Sequence, residues 1–208
     1  MATKLGTYNK ALIALGDAVP LASLSENRAA RRFLDQVWDN GVVNYCLEQG
    51  FWSFATRSKK IPFSTTIIPA FGFKYAFEVP DDFCAINGVW TDDKFNCLLE
   101  IYDIEAGVIY CDFDTIYLKY VSNASTYGGN LARWSEAFGD WVGLRMAFEA
   151  QPLITNSLNV DANLDRAQQV AKLHALNLDK RNKAKQKVPV GSWVNARFSG
   201  FNRGYDQF

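Results

Sequence analysis

The sequence predicts an α+β protein: a helical bundle of about four helices, with an antiparallel β insertion between helices 2 and 3 and an extended C-terminal arm. Three observations predict it. Apolar residues recur at helical spacing toward both ends of the chain, over 7–49 and 131–185. Between these stretches the spacing changes to alternation, clearest at Phe71, Phe73, Tyr75, Phe77 and Val79. After Lys187, the residues Pro189, Gly191, Gly200 and Gly204 break both periods. The implied organisation is residues 1–50 as the first half of a helical domain and 51–130 as the β insertion. Residues 131–187 are the second half of the helical domain, and 188–208 the arm. A chain of 208 residues suits one domain with an insertion, and 49% hydrophobic content is ample for a core.

The elements are justified in chain order. Tyr8, Leu12 and Leu15 form one stripe of a short helix from Thr7 to Leu15, with Gly16 as its stop. Ser23-Leu24-Ser25-Glu26 matches a capping box, in which hydroxyl and carboxylate satisfy each other's free backbone donors. It predicts a long helix running to Gln49, with Ala30, Phe33, Leu34, Val37, Gly41 and Tyr45 on its apolar face and Gly50 at its end. Strands are predicted over 71–79, 85–90, 96–101, 108–111 and 115–121, separated by Asp- and Gly-bearing turns. Spacings this short require antiparallel pairing, because a parallel crossover needs a dozen or more residues. A loop of Ser, Asn and Gly over 122–130 leads to a helix from Leu131 to Glu149, ended by Pro152. Gly139 and Gly143, four apart, would let a neighbouring helix approach closely. The last helix runs from Asp161 to about Lys185, with Leu164, Ala167, Ala171, His174 and Leu178 along one face. Its C-terminal end is strongly basic, which complements the helix dipole.

The formal net charge is zero, so nothing global points to nucleic acid or membrane. The distribution is uneven, however. From Asp179 onward there are seven basic residues against two acids, leaving an acidic body and a basic tail. Such a tail suits an acidic docking surface. No apolar run approaches the ~20 residues of a membrane span, so no membrane contact is expected. Cys46, Cys84, Cys97 and Cys111 are widely spaced with no C-x-x-C pair, so neither a metal site nor a redox motif is expected, and free, mostly buried thiols are. No cofactor is expected either.

Candidate chemistry resolves mostly into structure. His174 lies on an apolar helical stripe with no partner ligand near it in sequence, and reads as a packing or interface residue. The acid pairs Asp81/Asp82, Asp92/Asp93 and Asp112/Asp114, with Glu100, Asp103 and Glu105 nearby, fall at strand turns, where Asp is favoured for its local hydrogen bonds. A cell-wall glycosidase using such acids, for example Asp112 and Glu105, is the alternative reading. Gly128-Gly129 lacks the residues of a phosphate loop and reads as a hinge. Lys180, Arg181, Lys183, Lys185 and Lys187 could meet nucleic-acid phosphates, which makes a small DNA-binding module a further rival.

The arm is the strongest functional signal. It carries Trp193, Phe198, Phe201, Tyr205 and Phe208 with Arg197 and Arg203, the residue types that dominate binding hot spots. Disordered tails are normally poor in aromatics. Two readings remain open: an arm that orders on a partner, which is preferred, and an arm that folds back onto its own domain.

Four stretches resemble one family. The run from Tyr8 to Leu24, with Asn9, Leu12, Leu15, Gly16, Pro20, Ser23 and Leu24, resembles the opening of the head-to-tail adaptor proteins of short-tailed bacteriophages. These are also called tail accessory factors or tail tubular protein A. Phe33 to Phe54, closing in Gly50-Phe51-Trp52-Ser53-Phe54-Ala55, resembles their long helix and its aromatic exit. Tyr75-Ala76-Phe77-Glu78-Val79-Pro80-Asp81-Asp82-Phe83 resembles their strand and turn, with Val79 where Leu is usual. Tyr102 to Ile109, with Ile116 to Val121, resembles their hairpin.

The resemblance implies a structural virion protein rather than an enzyme. It implies a ring of identical subunits, typically twelve, beneath the portal protein at the head-tail junction. That ring extends the DNA channel, with non-specific contact to passing DNA, and receives a tail nozzle or needle protein below. Assembly would take place in the host cytoplasm. The arm would dock on the portal through Lys183, Lys185, Lys187, Trp193, Arg197, Phe198, Phe201, Arg203, Tyr205 and Phe208.

Overall fold

The computed structural model describes residues 2–17, 19–155 and 161–183. The described residues form α1 (Lys4–Ala14), α2 (Ala29–Asp39), α3 (Val42–Glu48), β1 (Thr56–Pro62), β2 (Tyr75–Glu78), β3 (Phe83–Trp90), β4 (Asp103–Glu105), β5 (Val108–Cys111), β6 (Thr115–Ser122), α4 (Glu136–Thr155) and α5 (Ala162–Asn182). A single 3-10 turn, Leu131–Arg133, precedes α4. The fold is α+β, with both halves of the helical part flanking the β insertion.

The helical half departs from expectation in four places. First, α1 starts three residues early, because the Thr3 hydroxyl accepts the Gly6 amide and caps it. It stops as predicted: Gly16, at φ +80°, lets the Asp17 amide donate back to the Leu12 carbonyl at 2.9 Å. Second, Ser23 and Glu26 cap a turn rather than a helix. The Glu26 carboxylate accepts the Ala22 amide, Ser23 accepts the Ser25 amide, and α2 begins only at Ala29. Third, the predicted long helix is two helices. Gly41, expected on an apolar helical face, instead takes φ +93° and separates α2 from α3, which raises the helix number from about four to five. Fourth, Pro152 lies inside α4, which continues to Thr155.

The predicted face of α5 holds in part: Leu164 is buried, and Ala171 and Leu178 pack against the larger core. Gln168 and Ala175 are buried too, whereas His174 is exposed. The long apolar side chains Val170 and Leu173 are exposed as well, and they make several rotations look equally buried from sequence. Asp161 caps this helix by accepting the Asn163 amide at 2.8 Å.

The β insertion is two three-stranded antiparallel sheets, in the orders β1-β6-β3 and β2-β5-β4. β1 and β6 pair along their whole length, from Thr56↔Val121 to Pro62↔Thr115, so the first and last strands close the insertion on itself. Only β4 and β5 form a tight hairpin. Ala106 and Gly107 both take positive φ, +49° and +81°, as a two-residue turn with the right twist requires.

Three strand expectations change. β1 was not predicted, because Arg57, Ser58, Lys59 and Lys60 give an edge strand little apolar alternation. The predicted 71–79 strand shrinks to Tyr75–Glu78, since Gly72 turns the chain at φ +86° and leaves Phe71 in solvent. The predicted 96–101 strand is a capped loop: the Asp92 carboxylate accepts the amides of Asn96 and Cys97, leaving only a Trp90↔Leu98 bridge.

Two hydrophobic cores result. The larger joins Tyr8 and Leu12 of α1, Leu34 of α2, Leu47 of α3, Trp52, and Phe138, Trp141 and Met146 of α4, with Ala175 of α5. It therefore draws on both halves of the chain. The smaller lies between the sheets, around Phe77, Val89, Ile109, Ile116 and Leu118. Of the two glycines in α4, Gly143 has the expected use, whereas a Cβ at Gly139 would meet only the Ala2 Cβ at an ordinary 3.5 Å. A Cβ at Gly143 would lie 3.0 Å from the Lys10 Cβ and 3.3 Å from the Thr7 carbonyl oxygen, so α1 crosses α4 at that point. Gly143→Leu is expected to lower stability by about 3 kcal/mol, measured by urea denaturation, because the crossing has no space for the side chain. Gly143→Ala should stay within about 1 kcal/mol of wild type, its gain in helix propensity offsetting the tighter contact.

Candidate functional site

The acid turns are occupied by structure. Asp82, in the turn before β3, accepts the Tyr120 hydroxyl at 3.0 Å, the Arg57 guanidinium at 2.8 Å and the Ser122 hydroxyl. Its own carbonyl accepts the Asn123 amide. These partners come from β1 and β6, so one carboxylate ties together all three strands of the first sheet. Ser122 also donates its amide to the Ala55 carbonyl at 2.9 Å, which fixes this sheet to the chain leaving the bundle. The Arg57 guanidinium lies over the Tyr127 ring, 5.3 Å from its centroid.

Burial pushes the Asp82 carboxyl up, but the hydrogen bonds from Ser122, Arg57 and Tyr120 outweigh it and hold the group below the ordinary carboxylate value. A glycosidase acid needs the opposite shift. Asp92 is likewise held low, by the amides of Cys97 and Asn96. Asp112 accepts the Lys74 amide at 3.1 Å. Turn chemistry therefore accounts for one member of each pair.

Gly128 and Gly129 are corrected from a hinge to a tight crossing. A Cβ at Gly128 would lie 2.5 Å from the Ser122 carbonyl oxygen, and one at Gly129 2.7 Å from that of Asn123. The Trp134 indole donates to the Gly128 carbonyl at 2.8 Å, which locks the segment further.

All four cysteines are free: Cys46 and Cys111 are buried, Cys84 is half-buried and Cys97 exposed. Burial pushes the Cys84 thiol up to about 11 and raises Cys46 and Cys111 as well, so these three stay protonated at neutral pH.

Two grooves among the described residues are lined by exposed apolar side chains. One is a groove between α1, α4 and α5, lined by Ile13, Leu144, Ala167, Val170 and His174, with the Lys10–Asp140 ion pair at its side. This is where the structure places His174. The other is in the β insertion. The 63–74 loop projects Ile68 and Phe71, 84% and 89% exposed, beside the second sheet. Together with Phe73, Tyr110, Asp103 and Glu105 they line a groove of about 390 Å³. Exposed apolar residues gathered in one place mark an interaction site more often than scattered ones do. By spacing, Phe71 and Phe73 are strand residues; the signal that could have separated them was Ile68-Pro69-Ala70-Phe71-Gly72, where Pro and Gly bracket an apolar pair.

Of the predicted docking residues, Lys183 ends α5. Its ammonium pairs with Asp179 at 2.8 Å and donates to the Phe51 carbonyl, so it pins the helix end beside the start of the β insertion. Asp179 in turn accepts the Ser53 amide at 2.8 Å. Lys185, Lys187, Trp193, Arg197, Phe198, Phe201, Arg203, Tyr205 and Phe208 lie outside the described residues. No helix among the described residues is long and apolar enough to cross a membrane.

The fold and its open surfaces thus define an α+β protein with two cores and an apolar, acid-rimmed face on its β insertion. No family model matches the chain, and no curated protein sequence matches it.

Proposed function

We propose that this is a structural virion protein, a head-to-tail adaptor. Its copies form a ring beneath the portal, extend the DNA channel and join the portal to the nozzle or needle of the tail. The observation that carries the reading is that one chain holds two unlike docking features. One is the Ile68–Phe71 loop with its neighbouring acids. The other is the cationic, aromatic segment that continues from α5 beyond its anchor at Phe51. An adaptor must engage a different protein at each end, and a ring subunit must meet its neighbour through two different faces.

The resemblance adds support because its motif residues have structural work in this fold. Leu12 and Gly16 cap α1, Trp52 centres the larger core, Asp82 ties the first sheet, and Glu105 opens the β4–β5 hairpin.

The test is to mix the purified chain with the portal ring of its phage and to size the product by light scattering after gel filtration. A parallel sample ends after Lys187. The expected result is a large complex with the full chain and none with the truncated one. No complex with either would overturn the reading. Within it, Trp193→Ala and Phe201→Ala are each expected to weaken portal binding by about 2 kcal/mol, measured by titration, as buried aromatic hot spots do. Wild-type affinity in the double variant would remove the arm from the interface.

A further inference from the structure

The groove between the 63–74 loop and β4 has a fitting occupant in the same chain. Asp103 and Glu105 on its rim have no cationic side-chain partner among the described residues. Its wall is apolar through Ile68, Phe71 and Phe73. The matching chemistry is an extended segment with cations spaced among aromatics. Residues 184–208 carry Lys185, Lys187, Arg197 and Arg203 against the single acid Asp206, together with five aromatics.

The starting point also fits. Lys183 is pinned to the Phe51 carbonyl, five residues before β1. The seven residues of β1 span roughly 23 Å at about 3.3 Å each, and the groove loop begins at Phe63, directly after that strand. Counting also the five residues from Phe51 to β1, the path to Phe63 is at most roughly 40 Å, and residues 184–197 can extend to roughly 46 Å, so Arg197 and the residues after it come within reach of the groove.

We propose that residues 197–208 seat in this groove of their own chain. Arg197 and Arg203 meet Asp103 and Glu105, and the aromatic side chains cover Ile68 and Phe71. The groove is then the resting site of a segment whose aromatics would otherwise stand in water, and it shields both apolar surfaces with one contact. This concerns the free chain and needs no portal, so it stands or falls separately from the adaptor reading.

The experiment places p-benzoylphenylalanine at position 71 of the full chain. The dilute protein is irradiated, the monomer band isolated and the cross-linked peptides mapped. The expected product joins position 71 to a residue within 197–208 of the same chain. Asp103→Lys with Glu105→Lys, two exposed sites on an edge strand, should lower that yield by about fivefold, the scale of two rim ion pairs. Adding Arg197→Glu and Arg203→Glu should restore it, which separates lost attraction from lost folding. Cross-links only between two chains would assign the groove to a second copy and overturn the proposal. Cross-links to no residue within 197–208, or a yield indifferent to the charge reversals, would overturn it as well.

Discussion

Replacing Trp52 with alanine is expected to lower stability by about 4 kcal/mol, the range for a fully buried Trp or Phe cut to Ala. Trp52 has no exposed surface. Its ring packs edge-on against Phe138 at 4.8 Å and lies 5.6 Å from Trp141 and 6.1 Å from Phe54. Its indole nitrogen donates to the Cys46 carbonyl at 3.1 Å. The residue thus joins the end of α3, the entry to β1 and the centre of α4. Equilibrium unfolding in urea, monitored by far-UV circular dichroism, gives the number. Trp52→Phe should lose less, about 2 kcal/mol, since the aromatic packing largely survives while the Cys46 carbonyl is left without its donor. A loss below about 1 kcal/mol for Trp52→Ala would mean that the larger core relaxes around the missing ring, contrary to close packing.

The second large effect is at Asp82. Asp82→Ala should cost about 3 kcal/mol, because it strands the Tyr120 and Ser122 hydroxyls and an arginine that all converge on one carboxylate. Asp82→Asn should cost somewhat less, since the amide keeps one acceptor but turns a donor toward two donors. The direction of the shift sets the pH dependence. The folded carboxyl titrates below its unfolded value. Its contribution is therefore fully present above the unfolded value and is lost as pH falls through the folded one. The stability gap between wild type and Asp82→Asn should accordingly be widest near neutral pH and narrow in acid. A gap independent of pH over that window would show that Asp82 adds nothing through its charge.

Local chemistry carried much of the fold into view. Gly16 stopped α1, Asp161 capped α5, Ala106-Gly107 turned the one tight hairpin and Gly143 allowed a helix crossing. Each acts through its immediate backbone or its own missing side chain. The errors share a cause too. Ser23 and Glu26 have the capping-box side chains but spend them one residue away from its pattern, on the Ser25 and Ala22 amides, and the spacing of the motif could not say so. Gly41 fits a helical stripe by spacing, and only its backbone conformation separates α2 from α3. β1 shows little alternation of its own because it is an edge strand defined by its partner β6.

The surfaces were less legible than the elements. The acids at 81–82, 92–93 and 112–114 sit in turns, where Asp is at home by its local chemistry. Nothing local, however, distinguished Asp82, whose partners lie 25 to 40 residues away in sequence. Phe71 reads by spacing as a residue of a half-buried strand, yet it stands in water beside Ile68, because exposure depends on which neighbours arrive. The cationic and aromatic composition of residues 188–208 is plain in the sequence, and their reading as a docking arm lies outside the described residues.

By itself, then, the sequence determined the α+β class, the insertion of antiparallel strands between two helical halves, the antiparallel sense of every pairing and the cationic aromatic end. These depend on periodicity, short spacing and composition, which are properties of neighbouring residues. Only the tertiary structure decided that β1 pairs with β6 across the whole insertion, that the sheets number two, that one carboxylate ties the first of them, and which apolar side chains stay in water. Those outcomes rest on contacts between residues far apart in sequence, whose free energy exists only once the chain has brought them together.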